Sequence, residues 1–261
     1  MITGSPGMVG AAFLSACAAY TVGAGLVQIY TASENRLALQ ELLPEAIISC
    51  YDSYDDNQLS RLLDWADVVC IGCGLGMGQI SEKILKNVLK NVSCPCVIDA
   101  DGLNLLNGKI ELLNQCRAPV ILTPHMKEMS RLTGWSIDKI MEDRFQALDQ
   151  IIKQSEPDTK SSIICVLKDS RTVVAQTNRQ KFVNLAGNNS MAKGGSGDVL
   201  AGTIAGLLAQ HMAPFEAAAV GVFLHACGGD EAKKSKGSYS VLARDLIQGM
   251  ADAMKNAKEC R

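Results

Sequence analysis

No stretch of this 261-residue sequence is dominated by one or two residue types, and no segment recurs at a fixed spacing. That excludes a disordered linker, a repeat array or a fibrous chain, and makes one domain over residues 1–261 the expectation. An excess of one charge is missing too: 25 basic residues stand against 27 acidic ones, and neither sign forms a long run. Such a balance does not suit a nucleic acid or an anionic membrane, so small molecules are the expected partners. Basic residues are absent before Arg36, and the apolar stretch GAAFLSACAAY is too short to span a bilayer. Neither a secretion leader nor a membrane anchor is expected, and the reading is cytoplasmic.

Cysteine, by contrast, is plentiful, with ten residues. They sit mostly in apolar segments such as DVVCIG and SIICVLK, in a chain long enough to fold without cross-links, which fits reduced thiols. Cys70 and Cys73, with Cys94 and Cys96, superficially suggest zinc. Cys70 reads as strand interior, however, and the spacing matches no common ligand framework.

Short apolar runs at 26–31, 46–50, 67–72, 96–100, 119–123 and 162–168 alternate with amphipathic stretches such as ISEKILKNVLKNV and SIDKIMEDRFQALDQIIKQ. Apolar strands separated by helices predict an α/β fold with a mostly parallel sheet covered on both faces and a site at the carboxyl ends of the strands. After Lys168 the runs TVVAQT and KFVNL, separated by NRQ, predict a hairpin. Helices are expected at roughly 196–210, 214–232 and 239–257.

The chemistry concentrates in NNSMAKGGSGDVLAG, Asn188 to Gly202. Gly194, Gly195 and Gly197 before a helix near Ser196 would let main-chain N–H groups converge on a phosphate-sized anion, although a plain glycine turn capped by Ser196 has the same pattern. A carboxylate at Asp198 repels phosphate unless it meets a substrate hydroxyl, which makes it a candidate base; simple capping is the alternative. Other strand ends add the glycine turn GCGLGMG, the two carboxylates of DADGLN, and TPHMKE. Asp99 and Asp101 suit a metal, a ribose or a helix start. His125 is a ligand contact or a structural hydrogen-bonder, with Glu128 orienting it or binding metal. Lys168, Arg171 and Thr172 in LKDSRT form a cationic, hydroxyl-bearing edge suited to phosphates, or a solvated hairpin tip.

Taken in order, GSPGMVGAA, GAGLV, CIGCGLG, VIDADGLNLL, ILTPHMKEMSRLTG, VLKDSRT and GNNSMAKGGSGDVLAG resemble the ADP/ATP-dependent NAD(P)H-hydrate dehydratase family of the ribokinase-like superfamily. The resemblance covers almost the whole chain. It implies a three-layer α/β/α sandwich and a repair reaction in which a nucleotide, ADP in most bacterial members, phosphorylates the hydroxyl of hydrated NADH or NADPH before phosphate is eliminated. It also implies the hydrate near Ala11, Gly74, His125 and Asp198. The nucleotide would contact Lys168, Asp169, Ser170, Arg171 and Thr172, and the loop carrying Asn188, Met191, Gly194, Gly195, Ser196 and Gly197. Magnesium bridging the phosphates, a homotetramer and a first strand cut to a stub are further implications. Cys73 stands where the family commonly has proline, Asp169 where it often has glycine, and Lys193 where it often has threonine. A kinase for a thiazole or pyrimidine alcohol and a nucleotide-binding protein without turnover stay open beside this reading.

Overall fold

The computed structural model describes residues 1–153, 162–177 and 181–259. The elements run α1 (Val9–Thr21), β1 (Gln28–Ala32), α2 (Arg36–Leu42), β2 (Ile47–Tyr51), α3 (Asp56–Trp65), β3 (Val69–Ile71), α4 (Gln79–Asn91), β4 (Cys96–Ile98), α5 (Asp101–Leu105) and β5 (Val120–Leu122). They continue α6 (Met126–Thr133), α7 (Ile137–Glu142), α8 (Arg144–Ile152), β6 (Ile163–Leu167), β7 (Val173–Gln176), β8 (Phe182–Val183), α9 (Ser196–Ala209), α10 (Pro214–Ser240) and α11 (Ala243–Glu259). Each run expected to be a strand overlaps one; β1 and β2 reach one residue past their runs, and the others are shorter than their apolar stretches because pairing stops where the chain turns into a loop. The NRQ turn lies outside the described residues, and the strands flanking it, β7 and β8, pair antiparallel.

Strands β3, β4, β5 and β6 pair in parallel, and β7 adds antiparallel to β6. A separate parallel pair, β1 and β2, is joined to this sheet by Ile2, which bridges Tyr30 on one side and Ile71 on the other. The VCI, CVI and VIL strands are buried at every position, as an apolar run must be when both sheet faces are covered. Alternate residues serve the two faces. Ile71, Ile98, Leu122 and Leu167 pack under α3 to α8, whereas Cys70, Val97, Ile121 and Val166 meet α9 and α10. Helices therefore form the two outer layers.

Several helix starts are written locally. Asp55, Ser136 and Asp143 accept first-turn N–H bonds of α3, α7 and α8, each satisfying a donor the helix cannot. The expected helix at 239–257 begins at Ala243 instead, because α10 runs on to Ser240 through a kink at Gly237 (φ 71°) and Asp245 accepts the Leu242 N–H. On the other face α9 presses on α1: a carbon added at Gly202 would stand 2.0 Å from the Ser15 carbonyl oxygen, and one at Gly206 would stand 2.6 Å from that of Ala19.

Candidate active site

Parallel strands deliver their carboxyl ends to one edge of the sheet. Here β3 leads into the Gly72–Gly78 loop, β4 into Asp99, β5 into Thr123 to His125, and β6 into Lys168, whose backbone N–H donates to the Pro124 carbonyl at 2.8 Å. The two carboxylates of DADGLN then part company. Asp101 accepts the Gly76 N–H at 2.8 Å and so braces the glycine loop, while Asp99, 1 % exposed, points into the site. The Thr123 hydroxyl donates to Asp99 Oδ1 at 2.7 Å, the Lys168 ammonium donates to the same oxygen at 2.6 Å, and the Cys73 thiol faces Oδ2 at 3.8 Å. Ala100 between them holds φ 48°, ψ −115°, a conformation a side-chain-bearing residue keeps only when its surroundings over-determine it.

Asp198 approaches from the first turn of α9. Its N-cap is Gly195 at φ 89°, so no side chain caps the helix and first-turn N–H groups stay available to an anion. Ser196 is not that cap; its hydroxyl lies 3.3 Å from Nε2 of buried His225. A carbon added at Gly197 would stand 3.2 Å from Lys168 Nζ and 3.5 Å from Asp99 Oδ2, so glycine there keeps the ammonium accessible. Donor atoms of Cys73, Asp99 and Asp198 fall within 4.8 Å of one another.

Burial, and next the charge of Asp99, push the Asp198 carboxyl up to about 6, where it can accept a proton near neutral pH. Burial pulls the Lys168 ammonium down, but Asp99 and Glu128 more than offset this and leave it above its ordinary value, hence charged. The hydrogen bond with Cys70, then burial, hold the Cys73 thiol well above the ordinary range, hence neutral. Burial drives His225 down to about 4.

His125 caps α6. Its Nδ1 accepts the N–H groups of Lys127 at 3.0 Å and Glu128 at 3.2 Å, and Glu128 Oε2 accepts the His125 N–H at 2.8 Å. This reciprocal cap assigns the ring proton to Nε2, which lies 3.4 Å from Glu128 Oε1 on a side chain that is 47 % exposed. Burial and then Lys168 lower the His125 pKa, so the ring is a neutral hydrogen-bond donor at physiological pH.

A cavity of about 790 Å³ opens beside these groups, lined by His125, Lys168, Asp169, Ser170, Thr172, the Gly187–Lys193 loop, Ser196 and Gly197. That volume suits a nucleotide-sized ligand. Asn188 secures the loop, donating to the Gly229 carbonyl at 3.0 Å and to Asp230 at 2.7 Å, and Met191 packs against Gly229. Arg171 lines a separate cavity of about 250 Å³. Gly194 has open space around it. Ala11 and Gly74 meet each other, a carbon added at Gly74 standing 2.8 Å from Ala11 Cβ, next to Cys73. Sequence reasoning did not find His225, Leu200 or Val222, which also line the large cavity. The only signal for His225 is a lone polar residue among small ones in HACGG.

The family model for NAD(P)H-hydrate dehydratase matches residues 1–251. A bifunctional NAD(P)H-hydrate repair enzyme of Moorella thermoacetica is 36 % identical over 266 residues, covering 99 % of this chain and 49 % of its own. The chain thus spans about half the length of several curated relatives it matches. An ADP-dependent (S)-NAD(P)H-hydrate dehydratase of Neisseria meningitidis is 35 % identical over 261 residues, covering 98 % of this chain and 84 % of its own. The crystal structure of an ADP/ATP-dependent NAD(P)H-hydrate dehydratase from Bacillus subtilis, co-crystallised with ATP and Mg²⁺, superposes with a TM-score of 0.83 at 28 % identity, covering 98 % and 87 % of the two chains. The fold is ribokinase-like: a ribokinase of Thermotoga maritima shares it at a TM-score of 0.55 and 15 % identity, over 92 % and 86 %.

Proposed function

The chain belongs to the NAD(P)H-hydrate dehydratase family, and we propose that it is a nucleotide-dependent hydro-lyase that returns hydrated NADH or NADPH to the reduced cofactor. The observation that carries this reading is Asp198 on an uncapped helix start, with the Asp99-held Lys168 ammonium beside Gly197. The terminal phosphoryl group of ADP or ATP passes to the ring hydroxyl oxygen, and the hydroxyl proton goes to the Asp198 carboxylate. The N–H groups of α9 and Lys168 hold the charge on the phosphoryl oxygens. The C–O bond then breaks with inorganic phosphate leaving, pushed by the ring nitrogen lone pair, and the neighbouring ring carbon gives up its proton to solvent water to restore the double bond. His125 offers Nε2–H to the hydrate, near Ala11 and Gly74, and the nucleotide occupies the large cavity along Lys168–Thr172 and Asn188–Gly197.

Magnesium accompanies the nucleotide in this proposal. One Asp99 oxygen is already taken by Lys168 and Thr123, and the neutral Cys73 thiol is a poor donor for a hard cation. The donor set therefore fits an ion carried by the phosphates rather than by a protein cage, which leaves Asp198 to accept the hydroxyl proton. Bound there, the ion would neutralise phosphate charge.

We further propose a homotetramer in the cytoplasm. Val220, Phe223 and Leu185 are 41, 52 and 76 % exposed, apolar surface that self-association would cover. The nine cysteines among the described residues are free thiols, as a reducing compartment favours. Sedimentation of the purified chain tests the subunit count.

The decisive assay mixes the protein, Mg²⁺, ADP or ATP, and hydrated NADH. Recovery of the reduced-nicotinamide absorbance with stoichiometric phosphate supports repair. Accumulation of a stable phosphorylated thiazole or pyrimidine alcohol without that recovery would replace it with a kinase, and nucleotide binding with no turnover would replace it with a sensor.

A further inference from the structure

We propose that Asp99 is a positioning residue for this reaction: it fixes the Lys168 ammonium beside Gly197, on the path of the transferring phosphoryl group, and sets the electrostatic field in which Asp198 works. The inference rests on the reading that Asp198 receives the hydroxyl proton. Among the described residues, Asp99 spans the site in a way no other carboxylate does. Its Oδ1 is shared by Thr123 and Lys168, and its Oδ2 is turned toward Cys73 and Gly197. It is buried, yet its pairing with Lys168 reaches across 69 positions of sequence. A buried ion pair adds little to stability by itself, since desolvation offsets attraction. The strained Ala100 backbone and the tight Gly72 contact, where an added carbon would stand 2.0 Å from the Asp99 carbonyl oxygen, direct the carboxylate to this one place.

Few charged or titratable groups among the described residues act on Asp198. They are Asp99 and Asp101 from the end of β4 and the start of α5, Cys73 from the glycine loop and Lys168 from β6. Glu128 and His125 face Lys168 from α6, and neutral His225 faces Ser196 from α10. Asp99 is the negative charge with the largest influence on Asp198, after burial. Activity requires ionised Asp198, so removing the neighbouring charge makes Asp198 more acidic and extends activity to lower pH.

The test compares wild type, Asp99→Asn, Asp99→Glu, Lys168→Gln and the Asp99→Asn/Lys168→Gln double variant, with kcat, KM and pH profiles measured on hydrated NADH and ADP with Mg²⁺. Asp99→Asn is expected to lose about 10- to 100-fold in kcat, the cost of roughly 1 Å of misplacement, with a smaller change in the nucleotide KM. Its acid limb, expected near pH 6 in the wild type from the raised Asp198 carboxyl, should move down by about one unit. The double variant should be little worse than Lys168→Gln alone. A uniform loss with the limb unmoved, or losses that multiply in the double variant, overturns the proposal. So does a defect relieved by raising Mg²⁺, which would make Asp99 a metal ligand instead. If Asp99→Asn does not fold, Asp99→Glu decides: with charge kept and the carboxylate displaced, kcat falls while the limb stays, and an unchanged kcat refutes positioning. Wild-type inactivity on the hydrate would instead overturn the repair reading, and an inactive Asp198→Ala beside an active wild type leaves Asp99 to be judged alone.

Discussion

Two sides of the large cavity are held in different ways. On the inner side, Lys168, Asp99 and Thr123 stand at three separate strand ends and are held by one another, with Asp198 beside them on α9. On the outer side, the turn after β6 is held mostly by itself, with the Thr172 hydroxyl donating to the Asp169 carbonyl at 3.1 Å. Asp169 reaches beyond the turn, pairing with Arg144 at 2.7 Å. That pair balances a carboxylate that would otherwise repel phosphate. An inner-side change disturbs several elements at once, and an outer-side change disturbs one turn. The inner side is therefore where rate should be sensitive, and the outer side where affinity should be tuned.

Substitutions can break this contrast. Asp198→Ala should cut kcat by about 10² to 10⁴-fold, the scale of a positioned acid or base, without lowering the melting temperature. A carboxyl whose folded pKa is raised weakens the fold once pH exceeds its unfolded value, so its removal is tolerated. Comparable kcat in variant and wild type would deny the inner side its role. Gly195→Ala meets positive φ and a 2.5 Å approach to Leu14, and should destabilise by about 1–3 kcal/mol in denaturant titration. Gly194→Ala, with nothing within 4 Å, should stay within about 0.5 kcal/mol. Equal effects would show that the glycine cluster is not differentiated as described.

Glu128 sharpens the comparison through pH. Burial pushes its carboxyl up to about 7, so the folded state binds more protons than the unfolded one between roughly pH 4.3 and 7, and stability falls as pH rises through that window. Glu128→Gln keeps an oxygen to accept the His125 N–H and removes the titration. It should be more stable than wild type above pH 7, with that pH-dependent advantage absent below about pH 4; a pH-independent difference would refute the assignment. The smallest effect is expected at Arg171, which lines the other cavity. Arg171→Ala should change the nucleotide KM by no more than about fivefold, as exposed charged contacts contribute ~0–1 kcal/mol.

Much of the fold was legible because apolar runs such as VCI and VIL leave no polar face, a pattern suited to strands buried on both sides. The same rule places the candidate site at the carboxyl ends of the strands, where Asp99, Thr123 and Lys168 gather. The division of labour between Asp99 and Asp101 was not legible, because adjacent carboxylates look alike until Ala100 turns the chain between them. Nor was the Asp99–Lys168 pair, since in a parallel sheet residues far apart in sequence meet only through strand order. The end of α10 is not marked in the sequence, because the chain continues helically on both sides of Gly237. Ser196 read as a cap, but His225, distant in sequence, lies close enough to its hydroxyl to compete for it.

The glycines of α9 carry a mechanical consequence. With backbone pressed to backbone at Ser15 and Ala19, the helix that bears Asp198 has no room to slide or tilt toward an incoming ligand. The proposed phosphate cradle is thus a fixed anvil, and any closing over reactants would come from the opposite lip, the short turn that follows β6.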